Sequence, residues 1–176
     1  KKDVTRAMLK YSIPLIPTTA LWWVTDVSDR YMVAYMIDEA ANGLYAVSYK
    51  IPNLLILISG IFMDAWQMSV LTEKSRLERQ KFFSNIFKMY QSLIFVCGSL
   101  LIVFAKVITR ILVADSFYPS WQYMPTLILA TTFSALTTFM GSVYLVKKKS
   151  VMSFLTAMTG ALVNIVLSFV LIPRIG

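Results

Sequence analysis

The 176 residues are 57% hydrophobic and only 15% charged, with a mean hydropathy of +0.66. Soluble domains carry about 25% charged residues, so this chain has too little charge to cover a water-facing surface and lipid must be its outer solvent. With no His and one cysteine, Cys97, it can form neither an internal disulfide nor a Cys/His metal cluster, and its net charge of +8 must be explained by where the charges fall.

A helix needs roughly 20 mainly apolar residues to cross a bilayer. Five stretches meet that need, at about 9–36, 43–71, 84–105, 122–146 and 151–173. Barrel strands of ~9–11 alternating residues do not fit such runs. The expected fold is therefore all-α, a polytopic membrane bundle of about five transmembrane helices. The first run follows Lys1, Lys2, Arg6 and Lys10, but it is too long for a signal peptide and has no small-residue cleavage site before Asp26.

Asp38 and Glu39 are expected to cap a tight turn before Asn42 and Gly43. Pro52, inside the second run, removes one helical hydrogen bond and frees the Ser48 carbonyl, which predicts a kink beside Lys50. Between Glu73 and Lys88, charges alternate with Phe82, Phe83, Ile86 and Phe87, as in a short amphipathic helix on the membrane surface. Cys97 sits in an apolar run and reads as packing. The segment from Thr109 to Met124 carries Tyr118, Trp121 and Tyr123, which suit a membrane interface. In the last two runs, Thr131, Ser134, Thr138 and Gly141 share one face, and Thr156, Gly160, Asn164 and Ser168 another. Small and hydroxyl residues at that spacing predict close helix packing with interhelical hydrogen bonds. A start at Lys1 without Met and an end at Gly176 predict a single fragment of a longer protein.

Charge fixes an expected orientation. If the spans alternate, Lys1, Lys2, Arg6, Lys10, Lys74, Arg76, Arg79, Lys81, Lys88, Lys147, Lys148 and Lys149 fall on one side, and only Lys106, Arg110 and Arg174 on the other. The positive-inside rule puts the first group, and the N-terminus, in the cytoplasm. Topology thus accounts for the charge without a nucleic-acid partner.

The informative residues are the ionisable ones inside the runs: Asp26, Asp29, Arg30, Lys50 and Asp64. Each costs about 2.5–3.5 kcal/mol at mid-bilayer on insertion scales, so each must face a partner or a hydrated cavity. Trp22, Asp26, Asp29 and Val33 share a helical face, and Arg30 follows Asp26 by four. Lys50, Asn53, Leu57, Gly60, Asp64 and Gln67 step by three or four along one stripe. Two readings stand side by side. In one, Asp29–Lys50 and Asp26–Arg30 pairs pin two helices; in the other, Asp26, Asp29, Arg30, Lys50, Asn53, Asp64 and Gln67 line a substrate cavity. No cofactor and no metal-binding or catalytic constellation is expected.

Residues 9–70 resemble a known family. Leu9-Lys10-Tyr11-Ser12-Ile13-Pro14-Leu15-Ile16-Pro17 resembles the opening of the second half of Wzx-type bacterial polysaccharide flippases. Ser28-Asp29-Arg30-Tyr31 resembles their S-D-R-Y segment, Gly43 to Ile51 their G-x-Y-x-x-A-Y-K-I stretch, and Ala65-Trp66-Gln67 their A-W-Q. The resemblance implies a MATE-like fold, with two six-helix lobes related by an axis along the membrane normal around a central cavity, a recurring transporter plan. The chain would supply the first five helices of the second lobe, its partner being the N-terminal lobe of the same protein.

The implied function is movement of a polyprenyl-diphosphate-linked oligosaccharide across the bacterial cytoplasmic membrane by alternating access, with membrane lipid around it and a coupling ion as a further partner that such a mechanism allows. The three acids and two bases inside the runs sum to minus one, so further positive charge for a diphosphate is expected from the other lobe. An ion-coupled multidrug exporter of the same superfamily is the alternative, since acids serve a cationic cargo. A membrane enzyme is disfavoured, because no His and no grouped acids stand at a loop mouth outside Asp38-Glu39.

Overall fold

The computed structural model describes residues 2–72 and 76–175. Among them every regular element is a helix: α1 (Lys2–Ser12), α2 (Leu15–Met36), α3 (Glu39–Ser48), α4 (Pro52–Thr72), α5 (Arg76–Leu112), a 3-10 helix (Asp115–Gln122), α6 (Met124–Val146) and α7 (Ser150–Ile175). The chain divides into two compact units, Lys1–Gly43 with Val143–Gly176, and Leu44–Ser142.

In the first unit α2 packs along α7. The face of α2 that is covered carries Thr18, Leu21, Thr25, Asp29 and Met32, of which Thr18 is buried and the others half-buried. Thr18 and Thr25 donate their hydroxyls to the carbonyls of Pro14 and Leu21, four residues back, so these polar groups need nothing from the neighbouring helix.

The second unit is organised around Phe139 of α6, which is fully buried. The rings of Trp66 from α4 and of Phe83, Phe87 and Tyr90 from α5 lie 5.0–5.3 Å from it. One buried hydroxyl ties the three helices. Ser59 on α4 lies 2.6 Å from the Tyr90 hydroxyl, which donates to the Ala135 carbonyl on α6 at 3.1 Å. The Trp66 indole N–H reaches the Ser142 hydroxyl at 3.3 Å. Farther along, a methyl group added at Gly98 would lie 2.8 Å from the Thr132 hydroxyl, so the glycine lets α5 and α6 approach.

Among the described residues three helices are long and apolar enough to cross a membrane, at Lys81–Leu112, Met124–Tyr144 and Ser150–Arg174, and α3 with α4 makes a fourth if that bent pair is one span. The expected five are thus reduced to three or four. The run expected at 9–36 is divided: α1 ends at Ser12 and α2 starts at Leu15, after Pro14 and with Pro17 in its first turn, where no helical N–H is lost. α2 is not among these helices, because Asp26, Asp29 and Arg30 crowd its middle and lower its apolar character.

The amphipathic helix expected at 73–88 to lead into the third span runs into it without a break, because Phe83, Phe87, Tyr90, Ile94, Gly98, Leu101 and Ala105 form one unbroken stripe at steps of three and four. Its phenylalanines enter the Phe139 cluster. Residues 73–75 lie outside the described residues. The tight turn expected before Asn42 and Gly43 is shorter than expected: α3 already starts at Glu39, and Asp38 caps that helix by accepting the Ala41 N–H at 2.6 Å.

The three lysines between α6 and α7 close α6 tightly. The Lys149 N–H bonds the Tyr144 carbonyl at 2.8 Å, and Lys148 takes a left-handed conformation with φ of 55°. Glycine is the usual residue there. Lys148→Gly is expected to raise stability by on the order of 0.5 kcal/mol, the αL strain relieved less the added chain entropy, seen as a higher melting temperature in detergent. Tyr90→Phe is expected to lower stability by about 1–3 kcal/mol, since Ser59 and the Ala135 carbonyl lose their shared partner inside an apolar core, as measured by denaturant unfolding of the same preparation.

Candidate functional site

Helix α4 has two opposite characters. Ile51 in the turn before it and Leu55, Ser59, Met63 and Trp66 along it are buried toward the core of the second unit. The stripe on its other side, Lys50, Asn53, Leu57, Gly60, Asp64 and Gln67, is exposed at every position. A methyl group added at Gly60 would meet nothing within 4 Å. From Asn53 to Gln67 the stripe runs ~21 Å along the axis at 1.5 Å per residue, most of the ~30 Å hydrocarbon thickness. None of its polar side chains is bonded to another described residue. The inner face has met its polar needs internally and the outer face has not.

The predicted kink is a full break. α3 and α4 are bent by 45°, with Tyr49, Lys50 and Ile51 in the turn between them. Pro52 is the first residue of α4, where its fixed φ and missing N–H are harmless. The buried Ser48 hydroxyl at the break lies 2.8 Å from the Leu44 carbonyl and 3.1 Å from that of Ser120 in the 3-10 helix. Lys50 therefore projects from unwound backbone.

On α2 the expected shared face of Trp22, Asp26, Asp29 and Val33 is split. Trp22 and Asp26 are exposed, whereas Asp29 and Val33 are half-buried on the side of α7. Ser168 of α7 donates its hydroxyl to the Asp29 carboxylate at 3.2 Å, and Asn164, one turn away on α7, lies beside that carboxylate. The Asn164 side-chain oxygen is enclosed without a partner of its own. Asp26 and Arg30 are both exposed, and no ion pair joins them among the described residues.

The seven candidate residues thus fall into two groups. Asp26, Asp29 and Arg30 belong to the first unit; Lys50, Asn53, Asp64 and Gln67 belong to the second.

Asn164 and Ser168 entered the sequence reading only as packing residues, together with Thr156 and Gly160. The structure separates them: Thr156 and Gly160 are exposed, and Thr156 bonds carbonyls of its own helix. A sufficient signal was present, since Asn164 is the only carboxamide in the last run and stands four residues before a serine. The face expected on α6 is likewise shifted. Thr131 is buried but Ser134 and Thr138 are exposed, and the helix packs instead through Ile128, Thr132, Ala135, Phe139 and Ser142. Comparison of the chain with family models, with curated proteins and with solved structures gives no match.

Proposed function

We propose that the chain forms part of a membrane transporter, and specifically of a flippase that carries a polyprenyl-diphosphate-linked oligosaccharide between leaflets. The observation that carries this reading is the exposed polar stripe of α4. A helix at membrane depth on which Lys50, Asn53, Asp64 and Gln67 have no side-chain partner among the described residues, the last three spread over ~21 Å, has a track for polar cargo, since lipid offers those groups no partner. α2 is the fifth span in this reading, with Asp29 facing the neighbouring α7 and Asp26 and Arg30 exposed on its other side. The lysine-rich connections lie in the cytoplasm, in agreement with the charge distribution.

The cargo has two chemically distinct parts. Sugars and diphosphate follow the polar track, and the polyprenyl tail stays in the bilayer. Arg30 of the first unit and Lys50 of the second are each a candidate cation for a phosphate of the cargo, with more positive charge coming from an N-terminal lobe of the same protein. The MATE-like two-lobe arrangement, inferred from the resemblance of residues 9–70, supplies alternating access by rocking of the lobes. The broken helix at Lys50 gives one lobe a place to bend. The chain does no covalent chemistry in this account.

A second reading is favoured by one observation. Asp29, Asn164 and Ser168 bring several oxygens together between α2 and α7, an arrangement that suits a coupling ion in a flippase or in an ion-coupled drug exporter. The cations separate the two. In the flippase, Arg30→Lys is expected to lower export of lipid-linked glycan about tenfold at normal membrane abundance, because lysine cannot reproduce the bidentate fork on phosphate. Export unchanged by Arg30→Lys and by Lys50→Ala, with drug resistance lost on Asp26→Asn, would assign the chain to the exporters.

A further inference from the structure

The face of α2 opposite α7 carries Thr19, Trp23, Asp26 and Arg30, at steps of four, three and four, and all four are exposed. Trp23 is 65% exposed although it is among the largest side chains in the unit. With α2 as the fifth span of the flippase reading, the depth of Trp23 rules out the usual explanation. α2 is 22 residues long, so it spans ~33 Å, and Trp23 stands only ~4 Å from its midpoint along the axis. Tryptophans of the interfacial belt sit at the headgroups, at the ends of a span. A lipid-facing position is also excluded, because the same stripe holds Asp26 and Arg30, each costing about 2.5–3.5 kcal/mol in hydrocarbon. The indole faces the space that solvates those two charges.

We propose that Trp23 is the platform on which the sugar nearest the diphosphate stacks, with Asp26 accepting hydrogen bonds from its hydroxyls and Arg30 holding the phosphate. The proposal deepens the flippase reading and rests on it. The order along the helix matches the order of groups in such a cargo. A guanidinium binds phosphate as a fork, a carboxylate accepts from hydroxyls, and an indole face offers a broad apolar surface to the C–H face of a ring. Arg30 to Trp23 covers ~10 Å at 1.5 Å per residue, the reach of a phosphate and the sugar it bears.

Charge supports an uncharged group at the Trp23 end. The stripe holds one carboxylate and one guanidinium, so it is neutral as a whole. An organic cation stacked on Trp23 would gain from Asp26 but meet Arg30 on the same face. A bare phosphate lipid would use Arg30 alone and gain nothing from Trp23. The stripe therefore discriminates in favour of a phosphate lipid that carries sugar.

The test measures binding to the full-length protein in nanodiscs. The probes are a polyprenyl diphosphate bearing an N-acetylglucosamine-initiated oligosaccharide, the same lipid without sugar, and tetraphenylphosphonium. Trp23→Leu is expected to weaken the sugar-bearing lipid roughly tenfold, the loss of one stacking contact, and to leave the bare lipid unchanged. Trp23→Phe should retain most of the affinity, because an aromatic face remains. Equal weakening of both lipids would make Trp23 a structural residue and overturn the proposal, as would a sugar-dependent affinity that survives Trp23→Leu. A loss confined to tetraphenylphosphonium would overturn it in favour of a cation platform. If the unaltered protein binds the sugar-bearing lipid no better than the bare one, the flippase reading itself fails, which the affinities of the unaltered protein alone decide.

Discussion

Hydrocarbon offers no hydrogen bonds, and that constraint sorts every polar group in this chain. A buried hydroxyl or amide without a partner costs several kcal/mol at membrane depth. In the second unit one tyrosine meets that cost for three helices: the Tyr90 hydroxyl lies within hydrogen-bond distance of the Ser59 hydroxyl and donates to the Ala135 carbonyl, joining α4, α5 and α6 at one point. The aromatic cluster around Phe139 seals that point from lipid. Most threonines of the spans solve the same problem locally, by donating to carbonyls one turn back.

Against that background the exceptions carry meaning. The α4 stripe from Lys50 to Gln67 and the α2 stripe through Asp26 and Arg30 have not been paired within their helices. Both units pack well without them: α2 lies on α7 through its other side, α4 lies on α5 with Ser59 against Tyr90, and Trp66 of α4 meets Phe139 and Ser142 of α6. Their polarity therefore does no work in holding either unit together. It fits groups held ready for water, for the rest of a larger protein, or for cargo. Asp29 is different in kind, since it is half-buried and met by Ser168 and Asn164.

Much of this was legible in the sequence because hydrophobic periodicity and charge speak directly about helices in lipid. The helical class, the three apolar spans, the break at Pro52 and the open character of the α4 stripe follow from residue spacing alone. What was not legible depended on partners distant in sequence. The phase of the α6 packing face is set by Phe139 meeting Trp66 and Tyr90, which no local pattern announces. The continuity of α5 through Phe83 and Phe87 competes with a charge pattern typical of a surface helix, and the aromatic stripe prevails because it stays in phase with the span. Asn164 and Ser168 look like packing residues until α7 is laid along α2, where they meet Asp29. The split between Asp29 and Asp26 is similarly a matter of one helix's rotation against another.

The central claim is that the α4 stripe borders water while its flanks border lipid or protein. Single cysteines placed by Asn53→Cys, Gly60→Cys, Asp64→Cys and Gln67→Cys, in a Cys97→Ser background, test it by their rates of reaction with a small membrane-impermeant thiol reagent. Leu54→Cys and Ile61→Cys, on exposed apolar positions of the same helix, serve as references. The account predicts fast reaction along the stripe and little at positions 54 and 61. Equal rates at all six positions, or a stripe as unreactive as its apolar flank, would contradict it.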